Sequence, residues 1–236
     1  MKRLLLVLLL IPIITVFATT KSDLKDAVSL YKNKHFIKSA KKFEEVLNNV
    51  KNPDIYYNLG NAYYKAGNIG KAILNYKRSL YLKWNKDCAN NLSLSLSQTR
   101  DNISENKNIF EKWLFKQNIN NWIIISLFVL TLFSLFISRM ILKRHFRIIP
   151  FSILLLLTLL VSSITTIGIY TKNKKEAVVL SVVTGVQSAP VSGETVSFKL
   201  HEGAIVEILK EQGNWMRIML PNGLSGWVMK SDIGII

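Results

Sequence analysis

Two apolar runs separated by five residues limit everything else this chain can fold into. Trp122–Leu142 reads WIIISLFVLTLFSLFISRMIL, and Ile148–Tyr170 reads IIPFSILLLLTLLVSSITTIGIY. A helix rises about 1.5 Å per residue, so each run can cross roughly 30 Å of hydrocarbon. Only Lys143, Arg144, His145, Phe146 and Arg147 lie between them, three of the five permanently basic. Spans joined by so short a loop enter and leave a bilayer on the same side. The segments before and after the hairpin therefore share one compartment, and the expected class is a multidomain membrane protein.

Residues 1–20 have the layout of a secretory signal: Lys2 and Arg3, an apolar stretch from Leu4 to Val16, then the small Ala18. Cleavage after Ala18 and retention as an anchor are both open, and both export the adjoining segment. Residues 21–116 then lie outside the cytoplasm. The 143–147 loop lies inside, as the positive-inside rule prefers, and the second span leads out again. Lys172, Lys174 and Lys175 flank the outer end against that rule; the signal sequence decides the orientation.

The net charge of +16 is uneven. Residues 21–116 hold 18 basic and 9 acidic side chains, whereas residues 172–236 hold 7 and 6. A basic membrane protein can attract anionic lipid head groups or nucleic acid. No zinc spacing or RNA-binding aromatic motif supports the second, and a solvated lysine-rich face explains the charge as well. Cys88 is the single cysteine, which excludes an internal disulfide, and no cysteine follows the N-terminal run to carry a lipid.

Residues 22–100 repeat with a period of 33. Ala27, Leu30, Phe36, Ser39, Phe43 and Leu47 recur as Gly60, Tyr63, Ile69, Ala72, Tyr76 and Leu80; Asn58-Leu59 recurs as Asn91-Leu92. Such self-similarity marks stacked helix pairs. Asp54–Ala66 is predicted as one helix, Gly67-Asn68 as a break, and Ile69–Lys83 as the next helix, with Ile69, Ala72, Ile73, Tyr76 and Leu80 on one face. Small residues at Gly60 and Ala72 let the pair approach, while Tyr63 and Tyr76 fill the space between. A single helix over 86–99 is expected to cap the stack. Tyr56, Leu59-Gly60, Tyr63, Ala72 and Tyr76 resemble the tetratricopeptide repeat, with Ser79 and Trp84 where that family usually has alanine and proline. The resemblance implies an all-α solenoid over 21–100 with a concave groove for peptides or partner domains. Candidate partner-binding residues are Asn58, Asn61, Lys65 and Asn91, whose amides and ammonium group suit a peptide backbone or a C-terminal carboxylate. Ordinary solvated helix surface is the alternative.

Residues 101–121 read as an interfacial linker, with Trp113, Leu114 and Phe115 at head-group level. After Tyr170 the pattern changes to period two. Val178–Thr184, Ala204–Lys210, Asn214–Leu220 and Leu224–Met229 read as strands, with turns at Gln212-Gly213 and Pro221-Asn222-Gly223. Leu200-His201-Glu202-Gly203, Val206-Glu207-Ile208-Leu209, Trp215 and Asn222-Gly223-Leu224-Ser225-Gly226-Trp227-Val228 together resemble a bacterial SH3 domain. That implies an all-β SH3-like barrel over 176–236. Trp215 and Trp227 then either pack its core or flank a shallow groove.

The motifs of enzymes are missing. His35, His145 and His201 have no metal spacing, and there is no P-loop, HExxH or GxSxG. Cys88 lies on a repeat helix, where packing is the simpler role. The expectation is a non-enzyme without cofactor or metal. Ser126, Ser134, Ser138, Ser162, Ser163 and Gly168 are the small residues expected to form the seam of the hairpin.

The order of signal, tetratricopeptide repeats, two-span hairpin and SH3-like domain resembles the BatE proteins of the Bacteroides aerotolerance operon type. That resemblance implies a multi-pass protein of the bacterial inner membrane with both soluble modules in the periplasm. It implies a scaffold in a stress-tolerance complex. Its partners would be membrane-anchored von Willebrand factor A domain proteins and, indirectly, a MoxR-type ATPase. The alternative is a tether or sensor that binds peptidoglycan through the SH3-like domain.

Overall fold

A computed structural model describes residues 22–101, 113–114, 116–143 and 148–236. The expected signal segment, most of the 101–121 linker and all but Lys143 of the 143–147 loop lie outside the described residues. The described residues divide into two compact units: the repeats with the C-terminal sheet, and the apolar hairpin.

The repeats form five helices: α1 (22–32), α2 (Phe36–Leu47), α3 (Pro53–Lys65), α4 (Ile69–Leu82) and α5 (Lys86–Leu96). Local chemistry starts and stops them. The Asn52 side chain accepts from the Asp54 and Ile55 amides, with Pro53 at the first helical position, and Asn85 caps α5 through the Cys88 amide. The α3–α4 break falls at Gly67 (φ +81°); one period earlier the α1–α2 break puts Lys34 at φ +60°. A Cβ at Gly60 would lie 2.6 Å from two ring atoms of Tyr76, so glycine there is what lets α3 and α4 close on that fully buried ring. Ala27, Ser39, Phe43, Tyr63, Ala72 and Leu80 are buried, and the Ser39 hydroxyl donates to the Ala27 carbonyl.

Seven strands follow: β1 (Glu176–Val179), β2 (Val183–Gln187), β3 (Val196–His201), β4 (Ile205–Gln212), β5 (Trp215–Met219), β6 (Ser225–Met229) and β7 (Ile233–Ile235). They pair antiparallel in the order β3-β2-β6-β5-β4-β1-β7. The expected barrel is therefore corrected to an open sheet, since its two edge strands, β3 and β7, do not pair with each other. The β7 edge is met by the repeats instead: the Arg78 guanidinium donates to the Ile235 carbonyl at 2.6 and 3.1 Å. Closure would have hidden that carbonyl within the sheet, and α4 satisfies it from outside. One core gathers Ala177, Val179, Val186, Leu200, Val206, Met216, Ile218, Val228 and Ile233 from all seven strands. The run expected as one strand over 178–184 is two, β1 and β2.

The sheet also packs on the repeats. Ile73 and Leu74 of α4 form one apolar cluster with Val178 and Ile205, flanked by Leu92, Leu96, Leu180 and Ile236. The single helix expected after α4 is α5, which ends at Leu96 rather than Thr99, and α4 is also in contact with β1 and β7.

In the other unit, α6 (Ile119–Lys143) and α7 (Ile148–Asn173) are long and apolar enough to cross a membrane, each with mean hydropathy 2.2. They run antiparallel, with Phe133 near Phe151 and Trp122 near Thr165. Of the small residues expected to line the seam, Gly168 is buried there and Ser126 and Ser162 are half-buried, but the rest are not. Ser134, Ser138 and Ser163 are exposed, and the hydroxyls of Ser138 and Ser163 bond within their own helices. Thr158, Val161, Thr165 and Gly168 are the buried stripe of α7; a Cβ at Gly168 would meet Ile119 at 2.3 Å. A threonine hydroxyl spent on its own helix's carbonyl packs as a small apolar group, which is how Thr158 serves here, while Thr165 bonds Val161 of its own helix and also reaches the Trp122 carbonyl of α6 at 3.4 Å.

Candidate binding faces

On the repeats, α3 and α5 bring two of the four candidate residues together. Asn61 Oδ1 accepts from the Tyr76 hydroxyl at 2.8 Å and from Asn91 Nδ2 at 2.9 Å. Asn91 Nδ2 also reaches the Tyr57 hydroxyl at 3.3 Å, and Gln98 Nε2 donates to the Tyr64 hydroxyl at 2.7 Å. Asn58 is half-buried outside this network, and Lys65 is exposed on the last turn of α3. Tyr57 and Tyr64 are the residues that sequence reasoning passed over. Their spacing with Asn61, four and three residues along α3, puts all three on one stripe and is the signal that could have found them. The face is anchored from below. Burial, with the Tyr57 phenol and Cys88 thiol nearby, raises the Tyr76 phenol far above its ordinary value, so it stays protonated and able to donate. Amide and phenol groups fixed this way can bond the N–H and C=O groups of a bound chain, and the tyrosine rings offer apolar contact.

On the sheet, the register puts Trp215 opposite Met229, and Trp227 opposite both Arg217 and Gln187. Met216, Ile218 and Val228 alternate with these residues and point into the core. Both tryptophans therefore lie on the face away from the core cluster, Trp215 half-buried and Trp227 9% exposed. Beside Trp227, the Gln187 Oε1 atom is buried and accepts no hydrogen bond.

Residues 53–83 match the family model of the tetratricopeptide repeat, and residues 185–234 match that of the bacterial SH3 domain. A search of curated proteins finds no match. The two family matches fall on α3–α4 and on β2–β7, the elements that carry most of the tyrosine–asparagine stripe and the tryptophan face.

Among the described residues no group of three or more His, Cys, Asp or Glu side chains could hold a metal ion. Cys88 is fully buried, its thiol pointing at the Tyr76 carbonyl, and burial pushes its pKa up to about 11. A thiol of that kind is a poor nucleophile at neutral pH.

Proposed function

We propose that this protein is a non-enzymatic, membrane-anchored scaffold that grips a partner protein through the tyrosine–asparagine stripe of α3 and α5. The observation that carries the reading is that stripe: Tyr57, Asn61, Tyr64 and Asn91 form a polar and aromatic lining on a repeat whose family binds proteins. The hairpin of α6 and α7 holds the scaffold in the bacterial inner membrane, with both soluble modules on the periplasmic side. The module order supports a BatE-type role in an aerotolerance or stress-tolerance complex, with von Willebrand factor A domain proteins as direct partners and a MoxR-type ATPase beyond them.

The test is co-purification of the full chain from mildly solubilised membranes, with mass spectrometry of the proteins that accompany it. Replacing Tyr57 and Tyr64 by Ala should release the partner while the chain still resists alkaline extraction from membranes. Unchanged recovery would overturn the reading.

A second reading rests on the sheet. Trp215, half-buried on the outer face of β5 beside the exposed Arg217, offers a surface suited to a peptide of the cell wall, in line with the SH3 match. The full chain should then sediment with purified murein sacculi, and Trp215→Ala should abolish that.

A further inference from the structure

Repeating the α4 pattern one period on shows where the stack runs out. Ile69, Ala72 and Ile73 would recur at positions 102, 105 and 106, which are Asn102, Glu105 and Asn106. The amphipathic pattern of another second helix is gone, yet the surface such a helix would cover is apolar. Ile73 is 0% and Leu74 5% exposed, because Val178, Ile205, Leu180 and Ile236 of the C-terminal sheet cover them.

The contact is built from both sides. A Cβ at Gly70 of α4 would lie 2.8 Å from the Val179 carbonyl oxygen. One at Gly203 would lie 2.4 Å from Thr99 and 2.9 Å from Ile73, and one at Gly234 would lie 2.5 Å from Leu74. Three glycines thus stand where any side chain would hold the surfaces apart. Polar groups ring the apolar patch. The Gly70 amide donates to Glu202 Oε1 at 2.7 Å, and Lys77 Nζ lies 2.7 Å from Glu176 Oε2. Arg78 holds the Ile235 carbonyl. Asp101 receives the His201 amide at 2.6 Å and lies 2.8 Å from its ring. A ring of satisfied polar contacts round a dry apolar centre is the anatomy of a stable interface.

We propose that residues 176–236 are the built-in cap of the repeat stack, so that the segments before and after the hairpin fold as one cooperative body. The cap takes the surface on which another helix would stack and leaves the α3–α5 stripe and the Trp215–Trp227 face for ligands. It rests on the proposed function only in that α6 and α7 are membrane helices. Given that, the interface closes only when both cross the bilayer, which fixes an even number of crossings between the modules without recourse to charge rules.

The test uses the full chain in membranes. Leu74→Cys with Gly234→Cys exchanges bulk across the contact and puts two thiols face to face. Mild oxidation should give a fast-migrating monomer on non-reducing gels and a linked peptide pair joining positions 74 and 234. Free alkylation of both cysteines after oxidation, or linkage only between chains, would overturn the proposal. Gly70→Leu provides a readout without new thiols. It should raise amide exchange at least tenfold in both α4 and β1, whereas a change confined to α4 would overturn it. Resistance to alkaline extraction reports the membrane reading separately.

Discussion

Replacing Glu176 by Gln should destabilise the protein more than replacing Glu176 and Lys77 together. The Lys77 side chain is 5% exposed and its ammonium lies 2.7 Å from the Glu176 carboxylate, which is 21% exposed. At an effective dielectric of about 20, opposite charges at that distance attract by about 6 kcal/mol. Desolvating the two ions costs several kcal/mol each, so the pair contributes little net stability while intact. Breaking it is different. Glu176→Gln takes away a carboxylate that lies against a buried ammonium, and removing one partner of a buried pair costs about 3–5 kcal/mol. Partial exposure of the site places the expectation near the lower end, about 3 kcal/mol. Lys77→Met leaves a carboxylate that water can reach and an apolar chain of similar length in its channel, for about 1 kcal/mol. The double variant should return to within about 1 kcal/mol of the original, a coupling of roughly 3–4 kcal/mol. Amide exchange of α4 and β1 in the full chain reads these values locally, without relying on the helices in detergent to unfold. Single effects that add to the double within about 0.5 kcal/mol would refute the reasoning, because an intact pair cannot be additive.

Other expectations come from the same geometry. Gly60→Val should cost at least about 2 kcal/mol by overpacking against the immobile Tyr76 ring, seen as a lowered urea midpoint; Gly60→Ala should cost less, since alanine returns about 1 kcal/mol of helix propensity. Cys88 has its folded-state pKa raised from 9.0 to about 11, so its contribution to stability is complete below pH 9 and lost as pH rises towards 11. Cys88→Ser should flatten that part of the stability profile, and native Cys88 should resist maleimide at pH 7. Asp232 accepts from Ser181 at 3.0 Å and Thr184 at 2.7 Å, so Asp232→Ala should cost about 1–3 kcal/mol and raise exchange in β2 first.

Helix boundaries are legible in the sequence because their signals are local. Asn52-Pro53, Gly67-Asn68 and Asn85 act on adjacent amides, and at these signals the observed helices begin or end within a residue of the expected positions, whereas α5, with no such stop signal, ends at Leu96 rather than Thr99. The strands are harder to read. Val178–Thr184 is interrupted by a single polar residue, Ser181, too weak a signal to separate β1, which faces both core and repeats, from β2 beyond the turn. β7 spans only three residues, too few to show alternation. The contact between repeats and sheet is invisible for another reason. Reading α4 as one face accounts for Ile69, Ala72, Ile73, Tyr76 and Leu80, but α4 also buries Leu74 and Lys77. Those two residues, off the repeat-facing stripe, mark a second face whose partner lies about a hundred residues away in sequence. In the hairpin, residue size alone suggests the serines, whereas the packed stripe uses threonines that bond carbonyls of α7 itself, Thr165 reaching Trp122 of α6 as well.

The central claim, a scaffold that holds its partner on the α3–α5 stripe, is tested most directly by site-specific photo-cross-linking in intact cells. A photoreactive residue at Tyr64, on the stripe, is compared with one at Lys38, exposed on α2. The account predicts a discrete protein adduct at position 64, lost when Tyr57 is also replaced by Ala, and none at position 38. Equal labelling at both positions, or no protein adduct at 64, would contradict it.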